Sequence, residues 1–400
     1  MLKIMLLCIF DECFKRWEIM SNLLKIIILS IFSFIMLGSI NASVTYKDGD
    51  KYVKFGGRIQ LQYYVDDSDG KSSEDKLIFR RLRPYIEGSV HTDWKGKFQW
   101  DMGNSKTEIK DAYFQYKGIE DLKITLGNLC FPFSRELLTS SKKQQLVERT
   151  FVGDHNYGTP DRQTGIHIEG SVLNKIINWK ASVAIGAVDP DNKKLDFDSV
   201  VSLHNGNDWS QGPMIGVRID FFPLGKIKFS QGDFSDGDMK IGLGLSAFTW
   251  SNDNDNLTSY SIEDGYTSRL DVDKITGLNV DMAIRGGGIS VDMQYNVFDS
   301  DLVDANITNG LYQNSSTTLE NLAIEGGFMV VAEKLEIVAG YQSQDADNYV
   351  ETWDRASVGV NFYIHKYDVK TQLTYRQNSN KDGITDNDGN EIFLQTQYVF

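Results

Sequence analysis

The sequence predicts an all-β chain that folds as a 16-stranded antiparallel transmembrane β-barrel, with short periplasmic turns, long extracellular loops and an inward-folded third loop. Three observations predict it. Side chains alternate with a period of two from Tyr52 onward, which is the period of a β-strand. Sixteen segments of this kind can be placed, and the connections between them alternate between short and long. An even strand number with this alternation is typical of outer-membrane barrels.

The strands follow one another along the whole chain after residue 50. In the first, Val53, Phe55 and Ile59 form an apolar face, while Lys54 and Arg58 lie on the other face. The predicted strands lie near 51–65, 76–91, 94–102, 108–118, 122–128, 163–173, 177–188, 211–222, 238–250, 274–285, 288–299, 318–331, 334–344, 353–364, 367–378 and 391–400. The aromatic pair Tyr398 and Phe400 resembles the C-terminal signal of outer-membrane proteins.

The connections between these strands alternate in length. Short ones fall near 92–93, 119–121, 174–176, 286–287, 332–333 and 365–366, and residues 223–237 are predicted as a longer turn. Long ones fall at 66–75, 103–107, 129–162, 189–210, 251–273, 300–317, 345–352 and 379–390. A soluble β-sandwich or lectin-like barrel would show the same alternation of side chains. It would place the apolar residues inside instead of against lipid.

Composition excludes several other classes of protein. Among 400 residues are 35 Gly, 22 Phe and 18 Tyr but only 6 Pro, and mean hydropathy is −0.31. No stretch of 18 apolar residues follows the first 40 positions, so no transmembrane helix is predicted there. A formal net charge of −14 argues against nucleic acid as a partner. Only Cys130 of the three cysteines lies after residue 42, so we expect no intramolecular disulfide.

Residues 1–42 are predicted to be a secretory signal peptide. Lys25 precedes an uncharged apolar run over 26–37, and small residues follow up to Ala42, where we expect cleavage. The charged residues before Met20 fit a signal poorly, so Met20 is a candidate for the true start. A membrane anchor is the alternative, and the apolar run is short for one. Residues 43–400 are then expected to form a single barrel domain.

Parity along each strand predicts which charged side chains face the lumen. Arg58, Arg81, Arg83 and Arg218 all alternate with apolar neighbours and are expected to point inward. Arg80 cannot point inward beside Arg81 in a regular strand. Either a β-bulge re-aims one of the two, or Arg80 lies at the rim near lipid headgroups. Most of the acidic excess falls in the loops.

The longest connection, 129–162, carries the basic residues Arg135, Lys142, Lys143 and Arg149 among many apolar ones. A loop this long and apolar is expected to fold into the barrel, which would bring its bases close to Arg58. An extracellular lid is the alternative. Arginine presents a planar fork of donors that matches phosphate or carboxylate oxygens. Rings of such bases serve anion and phosphate pores, so the sequence predicts an anion path.

Three groups of motifs show a resemblance to a known family. Val53–Gln60, Phe79-Arg80-Arg81 and Asp93-Trp94-Lys95 lie in the first strands. Pro132-Phe133-Ser134, Leu138–Ser141 and Glu148-Arg149 lie in the long loop, and Gln397–Phe400 close the chain. This set resembles the phosphate-selective porin O and P family, densely over 53–150.

The resemblance implies a homotrimeric 16-stranded channel in the outer membrane of a Gram-negative bacterium, with an inward third loop. It implies that Arg58, Arg80, Arg81 and Arg149 are the anion-binding residues of a constriction. Arg83, Arg135, Lys142, Lys143 and Arg218 would be secondary basic residues of the lumen or loop. The chain departs from the family at Leu137, where a basic residue is expected, and at Lys110, where an acidic one is expected.

The predicted function is therefore that of an outer-membrane porin. It would form a passive, water-filled channel for phosphate, polyphosphate or other small anions, in contact with outer-membrane lipid and lipopolysaccharide. A weakly selective general porin and, further off, a surface adhesin or structural barrel are the alternatives. No catalytic residues, cofactor or metal are expected, because none of the five histidines has a compelling serine partner and the acidic turn near Asp382 does not fit calcium-loop spacing.

Overall fold

The computed structural model describes residues 43–68, 73–189, 193–198, 210–235, 237–252 and 272–400. The predicted signal peptide, 1–42, lies outside the described residues. Strands in the described part are β1 Val44–Asp48, β2 Lys51–Ser68, β3 Glu74–His91, β4 Trp94–Asp101, β5 Glu108–Ile119, β6 Leu122–Cys130, β7 Arg162–Val172, β8 Ile177–Asp189, β9 Asp196–Asp198, β10 Ser210–Phe221, β11 Lys240–Ser251, β12 Val272–Gly286, β13 Ile289–Leu302, β14 Ser316–Val331, β15 Leu335–Ala346, β16 Trp353–His365, β17 Val369–Ser379 and β18 Gly389–Val399.

Sixteen of these strands, β2–β8 and β10–β18, form a closed antiparallel barrel. Each pairs with the next, β8 pairs with β10, and β18 pairs with β2 from Gly389↔Ser68 to Val399↔Arg58. The 16-stranded fold predicted from the sequence is thus confirmed. Two short strands were not predicted: β1 forms a hairpin with the start of β2, and β9 pairs with the end of β8. None of the described helices is long and apolar enough to cross a membrane.

Strand β12 shows which face of the sheet meets lipid. Leu278 and Val280 on its outer face are 47% and 50% exposed, while Asn279 and Asp281 on its inner face are 0% and 3% exposed. A soluble sandwich would reverse this order, because apolar burial drives folding in water. Apolar residues outside and polar residues inside are the arrangement of a transmembrane barrel.

The connection between β6 and β7, residues 131–161, folds into the lumen, and we call it loop 3. Its one α-helix, α1, spans Arg135–Leu138 and is capped by Ser134, whose side chain accepts from the backbone N–H of Leu137. Phe131 and Phe133 pack against the barrel wall in a buried apolar cluster. Such burial keeps this long segment out of water.

Polar side chains of the far wall hold the backbone of loop 3. Gln342 of β15 accepts from the N–H of Phe151 at 2.9 Å, and Lys370 of β17 donates to the carbonyl of Gln144 at 2.6 Å. Further bonds come from the side chains of β13, β14, β16 and β18. Loop 3 is therefore bound mainly to the β13–β18 side of the lumen. Open space remains along β2–β8.

Candidate functional site

The open space beside loop 3 contains a cavity of about 440 Å³, which we call the central cavity. Seven basic side chains line it against two acidic ones, Glu87 and Asp111. The basic residues are Arg58, Arg83, Lys97, Lys142, Arg149, Arg162 and Lys180. Loop 3 supplies one side of the cavity and strands β2–β8, with β18, supply the other. A mostly basic wall of this kind raises the local concentration of anions.

Arg58 of β2 and Arg149 of loop 3 both line this cavity, and neither has an acidic partner among the described residues. Arg58 is 6% exposed and donates to Ser140 Oγ at 3.3 Å, and its Nε has no hydrogen-bond partner. Arg149 donates from Nη2 to the carbonyls of Leu137 and Thr139 at 3.1 and 3.0 Å. Neither guanidinium forms an ion pair within the described residues. Both charges are therefore available to an anion that gives up part of its hydration.

Arg80 and Arg81 both point into the barrel, because a β-bulge separates their backbone positions. Gln60 pairs with Arg81 and Leu61 pairs with Phe79, which leaves Arg80 as the extra residue. Of the two arrangements that the sequence allowed, the structure shows the bulge, and the assignment of Arg80 to lipid headgroups is wrong.

Glu148 of loop 3 forms ion pairs with both of these arginines. Arg80 Nε lies 2.7 Å from Oε1, and Arg81 Nη2 lies 3.6 Å from Oε2. Burial raises the pKa of the Glu148 carboxyl, but Arg80 and Arg81 lower it by more, and it lies at about 2. The group stays ionised at any ordinary pH, so the three residues together carry one net positive charge.

The secondary basic residues divide into two sets. Arg83, Lys142 and Lys143 line cavities, and Arg83 is paired with Asp101 at 2.5 Å. Arg135 lies in loop 3 and Arg218 points inward from β10, but neither lines one of the two cavities. Their side chains are 2% and 0% exposed and form buried ion pairs.

Each of those two buried arginines has carboxylate partners on the wall. Arg135 Nε lies 2.8 Å from Asp292, and Arg218 lies 2.6 Å from Asp220 and 2.7 Å from Asp281. These pairs sit where loop 3 packs on the wall, so their role is structural. Parity along β10 predicted the inward direction of Arg218 correctly but could not reveal its second partner, Asp281, on β12.

The two departures from the family pattern also have structural settings. Leu137 is 1% exposed within loop 3. Lys110 is buried and pairs with Glu108 at 2.7 Å. Neither position therefore places an unpaired charge in the central cavity.

A second cavity of about 790 Å³ adjoins the first on the short-turn side, and we call it the turn-side cavity. Leu138, Ser140 and Lys180 line both cavities. Seven lysines and four acidic residues line the second one, and the lysines are Lys117, Lys123, Lys143, Lys175, Lys180, Lys226 and Lys228. The basic surface thus continues from the middle of the barrel toward the short turns.

Sequence reasoning missed seven basic residues of these walls: Lys97, Lys117, Arg162, Lys175, Lys180, Lys226 and Lys228. Parity could have found Lys97, which alternates with Gly96 and Phe98 along β4. Arg162 stands at the boundary between loop 3 and β7, where parity gives no direction. Lys226 and Lys228 lie in a turn, so no strand period applies to them.

A closed barrel with apolar side chains outside and an open basic path inside defines an outer-membrane porin. The chain belongs to the phosphate-selective porin O and P family, whose model matches residues 53–309. This match extends well past residues 53–150, where the motifs are dense, and ends before the terminal Gln397–Phe400. Family and fold support a channel protein without enzymatic activity.

The chain is also similar to a curated relative and to solved structures. An uncharacterized protein of Aquifex aeolicus (strain VF5) is 23% identical over 377 residues, 84% of this chain and 83% of the relative. The trimer form of OmpT, an outer-membrane protein of Vibrio cholerae, is similar with a TM-score of 0.54 and 13% identity, over 88% of this chain and 99% of that one. An anion-selective porin from Comamonas acidovorans is similar with a TM-score of 0.52 and 12% identity, over 88% and 100%. At such identities the likeness shows the fold alone.

Proposed function

We propose that this porin is a passive channel for small anions, with phosphate or polyphosphate as the preferred cargo. One observation carries the proposal: Arg58 and Arg149 reach the central cavity from opposite elements, and neither has an acidic partner among the described residues. An anion between them exchanges water for guanidinium donors. Since binding must stay weak enough for release, two unpaired forks suit a conducting site better than a fully enclosed one.

The course of the path supports the same proposal. An anion that leaves the central cavity past Ser140 and Lys180 meets the lysines of the turn-side cavity, which hold it by charge and not by a fixed fork. Successive weak sites of one sign favour transit over trapping. The acidic residues outside these cavities do not oppose this, because surface charges are screened within about 8–10 Å.

A weakly selective porin is the second candidate, and a specific observation favours it. Arg80, Arg83 and Arg162 are each paired with a carboxylate, at 2.7, 2.5 and 2.7 Å. Their charges are largely neutralised, so the excess positive charge of the central cavity depends on few residues. Under this candidate the channel would prefer anions only modestly and would not distinguish phosphate from chloride.

We place the porin in the outer membrane of a Gram-negative bacterium as a homotrimer, exported by its signal peptide and surrounded by lipid and lipopolysaccharide. The trimer form of the similar OmpT and the family membership support this.

The experiment that tests the function is a planar-bilayer measurement on purified protein. The zero-current potential is recorded under a KCl gradient, and the chloride current is then titrated with phosphate. We expect anion selectivity and block by low phosphate concentrations. Anion selectivity without block would favour the weakly selective channel, and cation selectivity would overturn the anion proposal.

A further inference from the structure

A second segment folds into the barrel, and it comes from the end that carries the short turns. The other connections at that end, such as 92–93, 287–288 and 366–368, are two to four residues long, whereas β10 and β11 are joined by residues 222–239. We call its part Phe222–Ser235 the inner turn. A connection of this length in a barrel is usually functional or folded onto the protein.

The inner turn begins by packing on the wall next to its own strands. Phe222 and Ile227 are 2% and 5% exposed and bury themselves against Ala283 of β12. Arg285 of the same strand donates from Nη2 to the carbonyl of Ser230 at 2.7 Å. These contacts turn the chain inward instead of leaving it in solvent.

The far part of the inner turn contacts the turn after β12 and the end of β16. Phe234 packs edge-on against Tyr363 and Tyr367, with ring centroids 4.8 Å from each. Asp233 accepts from the backbone N–H of Gly288 at 3.0 Å. The segment therefore crosses beneath loop 3 from β12 to the connection between β16 and β17.

Gln231 joins this segment to loop 3 itself. Its backbone N–H donates to the carbonyl of Lys143 at 3.0 Å, and its Oε1 accepts from the N–H of Gln145 at 2.8 Å. Its Nε2 donates to Glu325 at 2.5 Å, and its carbonyl accepts from the Tyr367 hydroxyl. The side chain is 2% exposed. One residue thus ties the lower edge of loop 3 to the wall.

The same segment also contributes to the ion path. Lys226 and Lys228 line the turn-side cavity, while the carbonyl of Lys228 accepts from Arg135 of loop 3 at 2.8 Å. Phe229 lies under the guanidinium groups of Arg135 and Arg218, at 5.4 and 5.5 Å from its ring centroid. One short stretch therefore combines a backbone carbonyl that holds Arg135 with two ammonium groups of the cavity wall, and Lys226 Nζ donates to Asn178 Oδ1 at 2.9 Å.

We propose that the inner turn is a positioning and selectivity element of the channel. Gln231 fixes the edge of loop 3 at Lys143–Gln145, which holds the basic side of the central cavity in place, and Lys226 and Lys228 add charge where ions leave toward the short turns. The selectivity part rests on the proposed anion function. The positioning part does not, because it concerns how far loop 3 moves.

The positioning part is tested with Gln231→Ala in a Cys130→Ser, Ser140→Cys background. Ser140 is exposed in both cavities, so its cysteine reports on the edge of loop 3. Loss of the Gln231 side chain leaves Gln145 N–H and Glu325 without these bonds. We expect thiol modification of position 140 to rise by about tenfold, the scale of one lost buried hydrogen bond, together with higher single-channel conductance.

The selectivity part is tested with Lys228→Gln, which keeps the carbonyl that binds Arg135. We expect this variant to lower anion preference while the modification rate at position 140 stays at the parent value.

Should Gln231→Ala fail to give heat-modifiable barrel on gels, Tyr367→Phe removes one bond to Gln231 and is expected to act in the same direction. Unchanged modification and conductance in a folded Gln231 or Tyr367 variant would overturn the positioning role. Unchanged selectivity in Lys228→Gln would overturn the selectivity role, and a cation-selective parent would instead defeat the anion proposal while leaving the positioning test intact.

Discussion

Arg80 of strand β3 and Glu148 of loop 3 form a two-point ion pair, with Nε to Oε1 at 2.7 Å and Nη2 to Oε2 at 3.0 Å. The pair exists because the bulge beside Leu61 turns Arg80 inward next to Arg81. A regular strand would have sent Arg80 toward lipid. One extra residue in one strand therefore adds a charged anchor between loop 3 and β3, beside the hydrogen bonds that Arg58 and Gln60 of β2 make to loop 3.

Replacing Glu148 with Gln should increase anion selectivity. The change removes one negative charge beside the central cavity and keeps the shape of the side chain. A screened unit charge at about 4 Å is worth ~1 kcal/mol, so the anion-to-cation permeability ratio should rise by about fivefold. The measurement is the zero-current potential in a KCl gradient. A ratio equal to that of the parent would show that this charge does not act on the path.

The Glu148→Gln variant also tests the lowered pKa of Glu148. The pKa of Glu148 is lowered to about 2, so the carboxylate stays charged and paired throughout the pH range in which an ordinary glutamate titrates. Charge and pairing are lost only as pH falls toward 2. The difference in selectivity between parent and Glu148→Gln should therefore be the same at pH 8 and at about pH 4. An ordinary carboxyl would be mostly protonated at about pH 4, and the difference would shrink. Shrinkage there would contradict the pairing with Arg80 and Arg81.

Arg58→Gln should reduce anion selectivity. Its guanidinium has no acidic partner, so no carboxylate is left unpaired when it is removed, and the loss should be about fivefold in permeability ratio. Block by phosphate should weaken by more than the chloride current falls, because a divalent anion gains more from the same charge. Lys274→Gln is the matched control, since Lys274 is exposed and paired with Asp301 away from the cavities. Equal effects of the two variants would remove Arg58 from the site.

Much of the fold was predictable because a barrel strand shows its two faces in sequence. Strand β12 illustrates this, since Leu278 and Val280 alternate with Asn279 and Asp281 and the structure exposes them to opposite sides. Segments without such a period were missed. Strand β1 was not predicted, because it is only five residues long and its alternation is too brief to identify a strand.

The site was predictable only where one strand determines the direction of a side chain. Arg58 follows from parity along β2 alone. The state of Arg218 does not, because Asp281 lies on β12 and pairs with it through the closed sheet. Partners separated widely in sequence decide which arginines keep a free charge, and a single sequence does not show those partners.

Arg218→Leu should destabilise the barrel strongly. Asp220 and Asp281 are buried and would lose their shared cation, and removal of one member of a buried ion pair costs about 3–5 kcal/mol. The measurement is urea unfolding in detergent, followed by tryptophan fluorescence. Adding Asp220→Asn and Asp281→Asn to the variant should restore part of the stability. A single variant as stable as the parent would contradict the buried network.

Cys130 offers a direct test of the charge in the central cavity. It is the only cysteine in residues 43–400, and it lines the cavity together with Arg58, Arg149 and Arg162. An anionic thiosulfonate reagent should modify it faster than a cationic reagent of similar size. A cleft of one sign concentrates counter-ions by about 10–10³-fold, so a ratio of at least about ten is expected at low salt.

The ratio isolates the electrostatic effect, because both reagents meet the same thiol in the same ionisation state. High salt should reduce the ratio, since screening shortens the reach of each charge. Arg58→Gln and Arg149→Gln should each lower it too, while Cys130→Ser abolishes the response of the current to either reagent. Equal rates, or faster reaction of the cationic reagent, would mean that paired carboxylates such as Asp111 cancel the basic wall, and the channel would then lack the field that anion selectivity needs.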